Sequence, residues 1–461
     1  MFENKKQLTQ SCFLECQALS HHTAYMYQKH AKAIVLITKL HNIPSKIPPF
    51  CNFSDSYLVM MRGQINVSAP SKVILHGEHA VVYGKSAIAA SVDLRTKMCL
   101  VPLQDHVLQV DFPDVQVKRQ WKSKDIKENI LHKRPKNLNG LDHDFLKCIE
   151  DFLNSQEDQG TTTSTTSISA AASDTNIIDS STHNEFQRAS LTCFFYLYAL
   201  LCDKFVPLQI KVESEIPLGA GLGSSAALSV CLAAGLSALK FSKKELVLEE
   251  ICQYAFISEQ ILHGRPSGID NAVSTYGGFV HFKNSKITPI ECSNNVNGGK
   301  SDLRILLVNT KIPRSTKTMV QGVNELNNEY PDVVGPTLEA IDGVSNKCLE
   351  ILQADDSTND RFRTIQNLIQ YNQKLLEALG VSHPALEEVI LIAKSFGLSA
   401  KLTGAGGGGF ALIILPPSLD ENKLKNLKER LVKKHFDCYE TNIGVDGVRI
   451  HVDNDVVCIS Q

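Results

Sequence analysis

The chain has 461 residues, 43 % of them hydrophobic and 21 % charged, which fits a soluble globular protein with length enough for two or three domains. Its 47 basic and 49 acidic side chains give a formal net charge of −2, so no global positive field points to nucleic acid or to an anionic membrane surface. The 13 cysteines are scattered, with no CxxC pair and no histidine cluster at zinc spacing; this reads as reduced thiols of a cytosolic-type compartment, not as a disulfide frame or a zinc module.

Residues 1–63 are rich in histidine, contain Pro44, Pro48 and Pro49, and keep no sustained period. Their apolar run over 33–37 is too short for the core of a secretory signal. We read them as a poorly ordered extension, with the compact protein starting near Met60; a basic targeting segment is the alternative, opposed by Glu3, Glu15 and Asp55. From Gln64 the pattern predicts two short strands, over 65–68 and 72–76, around Ala69-Pro70-Ser71. The run from Gly77 to Gly84-Lys85-Ser86 imitates a P-loop, but its glycines stand too far apart and no strand–loop–helix order surrounds it. Residues 87–100 alternate polar and apolar side chains at the period of a half-buried strand. Between 155 and 182, 14 of 28 residues are serine or threonine, a composition that buries too little to offset its ordering entropy and predicts a disordered insertion. A helix over 185–201 and a strand over 208–212 follow.

That strand leads into Ile216-Pro217-Leu218-Gly219-Ala220-Gly221-Leu222-Gly223-Ser224-Ser225, and then into an alanine-rich apolar segment that reads as a buried helix. Alternate glycines allow positive φ and let backbone N–H groups approach an anion, while the serines fall near a helix start, where the positive end of the dipole favours negative charge by up to ~2 kcal/mol. A merely structural glycine turn feeding a core helix is the competing reading. A membrane span is opposed by the proline, glycines and serines that fill the first third of the charge-free run 216–239.

An amphipathic helix is predicted over 243–262, with Glu259 near its end. The loop His263-Gly264-Arg265-Pro266-Ser267-Gly268-Ile269-Asp270-Asn271 then offers Asp270 either as a catalytic carboxylate on a stiff loop or as an N-cap. The second half predicts a strand over 303–309, helices over 315–329, 333–352, 360–379 and 384–396, and a strand over 399–402. The run Thr403-Gly404-Ala405-Gly406-Gly407-Gly408-Gly409 comes next, before a strand over 410–415, a helix over 421–435 and a strand over 438–444. Successive glycines between two strands imply close approach of the backbone to something.

Three segments in this order, Pro70-Ser71-Lys72 through Tyr83-Gly84, the glycine loop with Ser224-Ser225, and Gly404 to Gly409, together resemble the motifs of the GHMP small-molecule kinases. Within that family the runs 72–82, 263–275 and 401–409 are most similar to the members that phosphorylate mevalonate. The match covers roughly 64–452, leaving the extension and the Ser/Thr tract unexplained; removing 1–59 and 160–182 is expected to leave turnover within a few-fold. The resemblance implies an α+β fold, with an N-terminal domain of the ribosomal-protein-S5-like type over 64–290, a ferredoxin-like C-terminal domain over 291–461, and the site in the cleft between them. It implies transfer of a phosphoryl group from ATP to the C5 hydroxyl of mevalonate with Mg²⁺, feeding isoprenoid synthesis. It also implies inhibition by isoprenyl diphosphates, a homodimer, and a cytoplasmic location with a peroxisomal one as the alternative.

Carried over residue by residue, the resemblance makes Asp270 the catalytic carboxylate and Lys72 the lysine beside it. Gly219, Ala220, Gly221, Leu222, Gly223, Ser224 and Ser225 become the ATP-binding loop, and Ser225 and Glu259 the magnesium ligands. Glu78, His79 and Thr316, with Lys72 and Asp270, become the substrate side, and Gly404, Ala405, Gly406, Gly407 and Gly408 the glycine-rich C-terminal motif. The chemistry agrees with these roles: an alcohol is a poor nucleophile, and phosphoryl transfer needs in-line placement and charge neutralisation more than covalent help. Magnesium keeps several waters and phosphate oxygens, which suits one hydroxyl and one carboxylate from the protein. One departure is Ser71, where the family has glycine: serine is tolerated if its φ is negative and strained by about 1 kcal/mol if positive. Cys458-Ile459-Ser460-Gln461 has the form of a prenylation box, but the residues before it are acidic. Other small alcohols or phosphates as substrates (phosphomevalonate, homoserine, galactose), and an inactive sensor of the same fold, are the alternatives. The sensor reading is opposed by the presence of all four of Lys72, Ser225, Glu259 and Asp270.

Overall fold

The computed structural model describes residues 63–135, 140–157, 180–217, 219, 221–240, 246–291, 303–354, 359–452 and 455–456; the extension up to residue 62 and most of the Ser/Thr tract, 158–179, lie outside them, as do Ala220 and Cys458. The first part of the chain runs β1 (Ile65–His76), β2 (Ala87–Pro102), β3 (Val107–Phe112), β4 (Val117–Lys122), α1 (Ser123–Asn129), α2 (His143–Glu157), α3 (Ser180–Leu201), β5 (Leu208–Ser214), α4 (Ser224–Lys240), α5 (Leu248–His263), α6 (Ile269–Tyr276), β6 (Phe279–Lys283) and β7 (Lys286–Ile290). The second runs β8 (Arg304–Asn309), α7 (Thr316–Glu329), α8 (Pro331–Gln353), α9 (Asn359–Ala378), α10 (Pro384–Ser395), β9 (Ala400–Leu402), β10 (Phe410–Leu415), α11 (Glu421–Val432), β11 (Asp437–Asn442), β12 (Arg449–Val452) and β13 (Asp455–Val456).

Among the described residues nine strands form one sheet in the order β13-β12-β1-β2-β5-β3-β4, with β6 and β7 added beside β2, and four form a second, β11-β8-β10-β9. The architecture is α+β, as expected. β1 is one continuous strand, not two. Pro70, which looked like a break, sits beside a β-bulge between Pro70 and Ser71, where a residue without an N–H costs the ladder little. Ser71 is buried and outside the left-handed region, so it stands in place of glycine without backbone strain. The helix expected from 243 begins at Leu248: Val247 is extended at φ −121°, ψ 130°, and 243–245 lie outside the described residues.

The charge-free run 216–239 resolves into a turn followed by α4, buried from Ser229 to Leu239 between the first sheet and α5. Its alanines and Gly235 let it lie close on the sheet: a Cβ at Gly235 would meet Met98 Cε at 2.2 Å and Leu100 Cδ1 at 2.6 Å. No described helix is long and apolar enough to cross a membrane. Beyond α4, Phe194, Phe195, Tyr196 and Tyr198 of α3 are fully buried, and Trp121 meets Phe195 edge to face at 4.9 Å. Full burial of such a side chain contributes about 2–3 kcal/mol, which is what holds α3 and α4 against the sheet. A second core joins Leu306, Val308, Leu402 and Ile413 of the smaller sheet to α8, α10 and α11. The chain then returns to the first sheet. β12 pairs antiparallel with β1 from Ile65↔Val452 to Ser68↔Arg449, and buried Arg95 donates to the carbonyls of Ser68, Asp446 and Gly447.

Candidate active site

β1 carries Lys72 past the bulge to the start of α6. Its ammonium lies 3.1 Å from Asp270 Oδ1, with the lysine side chain 10 % and the aspartate 35 % exposed, so the pair is sheltered on one side and open on the other. Asp270 is not the cap of α6. Gly268 occupies that position at φ +80°, and Asp270 follows in the first turn, where the dipole favours its negative charge. Ser274, one turn on, donates to Pro70 O at 2.8 Å and ties α6 to the strand just before Lys72.

The glycine loop lies against the same strand. Lys72 N donates to Leu222 O at 2.9 Å, and a Cβ at Gly223 would meet Lys72 Cγ at 3.0 Å and Asp270 Oδ2 at 3.8 Å. The loop is therefore within contact of both candidate reacting groups. Gly219 is exposed with nothing near its Cβ position, and Ser224 opens α4.

Ser225, in the first turn of α4, faces the end of α5. Its hydroxyl donates to Glu259 Oε2 at 3.4 Å and lies 3.0 Å from His263 Nε2, while Ser229 donates to Glu259 Oε1 at 3.2 Å. Burial pushes the Glu259 carboxyl up to about 7, and the negative charge of Asp270 adds to the shift. A carboxylate buried beside a second carboxylate is short of positive charge, so the pair Ser225–Glu259 fits a divalent cation.

The positive charge that faces the loop comes from the second half of the chain. Arg314 lies just before α7, and its guanidinium sits over Gly221 and beside Gly404: a Cβ at Gly221 would fall 1.6 Å from Nη2, and one at Gly404 2.9 Å from Nη1. Arg314 Nη1 donates to Thr403 O at 3.4 Å, and burial lowers its pKa. Thr316, the first residue of α7, is exposed at the same helix start, which Ser315 caps by accepting from Thr318 N at 3.2 Å.

Past Gly404 the glycine run packs against protein. A Cβ at Gly406 would meet Val381 O at 2.0 Å, one at Gly407 Met319 Sδ at 2.6 Å, and one at Gly408 Ile312 O at 2.7 Å. The close approach implied by the sequence is an approach of the chain to itself.

Glu78 and His79 also lie at this seam. Glu78 is buried, with one carboxylate oxygen on Lys401 Nζ and the other accepting from Asn372 Nδ2 at 2.9 Å. His79 holds a left-handed φ of +61°, rare for a residue with a side chain. Its Nε2 donates to Ala405 O at 2.8 Å, leaving Nδ1 buried without a protein partner. The Gly84-Lys85-Ser86 run that imitates a P-loop faces α8, where Lys85 pairs with Glu339 and Ser86 Oγ donates to Asn346 at 2.7 Å.

Comparison with known proteins fits this geometry. Residues 191–278 match the model of the GHMP kinases N-terminal domain and residues 352–438 that of the GHMP kinases C-terminal domain. The mevalonate kinase of Homo sapiens is 37 % identical over 414 residues, covering 85 % of this chain and 96 % of the relative. This chain belongs to the mevalonate kinase family of GHMP kinases. Among solved structures, the Methanococcus jannaschii mevalonate kinase aligns with a TM-score of 0.59 at 25 % identity, covering 82 % of this chain and 98 % of that one. An L. major mevalonate kinase in complex with R-mevalonate shares the fold, with a TM-score of 0.58 at 21 % identity over 82 % of this chain and 96 % of that one.

Seen as a member of the mevalonate kinase family, the chain brings Lys72, Asp270, Gly223, Ser225 and Glu259 into one cluster at the edge of β1, as their order in sequence suggested. Ala220 lies outside the described residues. Four neighbours escaped sequence reading: Arg314, His263, Lys401 and Asn372. Arg314, Lys401 and Asn372 stand outside the glycine motifs, and only the crossing of the second half over the first brings them near. His263 had one signal, its position four residues after Glu259 on the same helix face.

Proposed function

We propose that this mevalonate kinase family member transfers the γ-phosphoryl group of ATP to the C5 hydroxyl of mevalonate, giving 5-phosphomevalonate and ADP. The observation that carries the reading is the 3.1 Å contact between Lys72 and Asp270 at the lip of the glycine loop. Asp270 accepts the proton of the C5 hydroxyl as the O–P bond forms, and Lys72 stabilises the negative charge growing on that oxygen. Backbone N–H groups of the loop 219–225 receive the phosphates, and the Arg314 guanidinium over Gly221 neutralises the charge of the group in flight. Ser225 and Glu259 would hold Mg²⁺, which would supply neutralisation of the phosphate charge. Thr316, exposed at the start of α7 two residues after Arg314, is assigned to the substrate side in this reading. His79, whose Nε2 donates to Ala405 O, and Glu78, paired with Lys401, serve the substrate side by fixing the turn they share.

The same loop fits other diphosphates. Farnesyl or geranylgeranyl diphosphate is expected to inhibit competitively with ATP, and inhibition unrelieved by raising ATP argues against a shared site. A homodimer and a cytoplasmic setting belong to this reading. The test is ADP release from Mg-ATP with mevalonate, phosphomevalonate, galactose and homoserine offered separately, for wild type and Asp270→Asn. Turnover with mevalonate alone, lost by about 10³-fold in the variant, is the expected result. Binding of ATP without turnover of any of the four overturns it in favour of a sensor.

A further inference from the structure

The edge of β1 that β12 leaves unpaired after Ser68 is taken up, at alternate residues, by the three segments of the site. Pro70 O accepts from Ser274 of α6, Lys72 N donates to Leu222 O of the glycine loop, and Ile74 meets Thr403, the residue before Gly404. The last contact is made by a side chain. Ile74 N donates to Thr403 Oγ1 at 3.2 Å, and the same hydroxyl donates to Ile74 O at 3.0 Å, so one threonine satisfies both backbone groups of that position as a neighbouring strand would. Thr403 is 3 % exposed. Its carbonyl accepts from Arg314, so the residue links the strand bearing Lys72 with the arginine over the glycine loop.

Lys72 and Ile74 project from the same face of β1, two residues apart. A register shift between Ile74 and His76 weakens the hold of β2 at this end, which leaves the Thr403 hydroxyl as the fixed point on the opposite edge. We propose that Thr403 is a positioning residue: through its two hydrogen bonds to Ile74 it sets the height of β1 and thereby holds Lys72 against Asp270. The inference rests on the phosphoryl-transfer reading for its kinetic consequence, and on geometry alone for the contact itself.

Thr403→Val keeps the shape and removes both hydrogen bonds, while leaving the backbone carbonyl for Arg314. Expected is a fall in kcat of about 10–100-fold, the scale of a catalytic group displaced by about an ångström, with KM for ATP changed less than about twofold. Thr403→Ser, which retains the hydroxyl, is expected near wild type. In the background of Lys72→Met, Thr403→Val should cost less than about twofold, because a residue that acts through Lys72 has nothing left to position. Losses that multiply in the double variant, an unchanged kcat in Thr403→Val, or a Thr403→Ser as poor as the valine variant overturn the proposal. Should Thr403→Val not fold, Thr403→Ala enters the same cycle under the same criteria. Hydrogen exchange at the Ile74 amide judges the contact without turnover: it should accelerate in the valine or alanine variant and not in the serine variant. Wild type inert toward mevalonate, but with that exchange pattern, defeats the functional reading and leaves the contact standing. Unchanged exchange defeats the contact itself.

Discussion

Two glycine-rich segments meet at this site, and they use glycine for opposite reasons. In the loop at 219–223 the space where a Cβ would stand is open at Gly219 and otherwise holds the mobile end of Arg314 or the side chains of Lys72 and Asp270. In the run at 406–408 the same space is filled by Val381 O, Met319 and Ile312. The first segment is bare so that a ligand can come close; the second is bare so that the chain can close on itself. Glycine content thus marks close approach without saying to what.

Substitutions sharpen that contrast. The largest expected effect on turnover, after loss of Asp270, is Gly221→Ala: the new methyl must push the Arg314 guanidinium away, and kcat should fall about 10–100-fold with little change of melting temperature beyond the cost of its left-handed φ of +68°. Arg314→Ala in the same assay should lose about as much, and the two losses should not multiply. If Gly221→Ala retains full activity, the arginine is not serving the loop.

Gly406→Ala should behave in the opposite way. Left-handed φ alone costs about 1–3 kcal/mol, and a backbone oxygen at 2.0 Å cannot swing aside as an arginine tip can. The melting temperature is therefore expected to drop by several degrees, while the fraction that folds keeps its KM for ATP. Gly219→Ala, open on all sides, should lose only the cost of its own left-handed φ of +68°, a smaller drop in melting temperature than Gly406→Ala, and weaken ATP binding. A Gly406→Ala protein that is stable but cannot bind ATP would reverse the comparison.

A smaller effect tests the charge balance on the ligand-facing side. Glu259 is pushed from its ordinary 4.5 to about 7 by burial and then by Asp270, so between those pH values the folded chain holds a proton that the unfolded chain has released. Folding stability from this group is present below about pH 4.5 and is lost as pH rises toward 7, by on the order of 3 kcal/mol at most. Metal-free wild type should therefore lose melting temperature from pH 5 to 8 relative to Glu259→Gln. Mg-ATP should remove the difference, because the cation replaces the proton. Parallel curves for the two proteins would show that Glu259 is not strained.

Much of this was legible in the sequence because it is local. Alternate glycines running into Ser224-Ser225 at the head of an apolar segment specify a loop and a helix start wherever they occur, and α4 begins at Ser224. Period-2 alternation over 87–100 and the helical spacing of 333–352 foretold β2 and α8 to within a few residues, since each depends on neighbours in the chain. The resemblance of the ordered motifs to those of the GHMP kinases was what marked Lys72, Asp270, Ser225 and Glu259 as one set. What sequence could not supply was anything set by distance across the fold. The Pro70 break became a bulge because β2 pairs with β1 both before and after it, from Ile65↔Leu100 to His76↔Ile88. Arg314 looks like any loop arginine until Gly221 and Gly404 converge beneath it. The charged pair Glu78–Lys401 is separated by 323 residues, and burial makes it obligatory only once the two sheets have met. Local propensity and motif order fixed the parts and their chemistry. Tertiary structure alone decided which cation faces which anion, because electrostatic and hydrogen-bond partners are chosen by proximity in space, which the linear chain does not encode until it has closed.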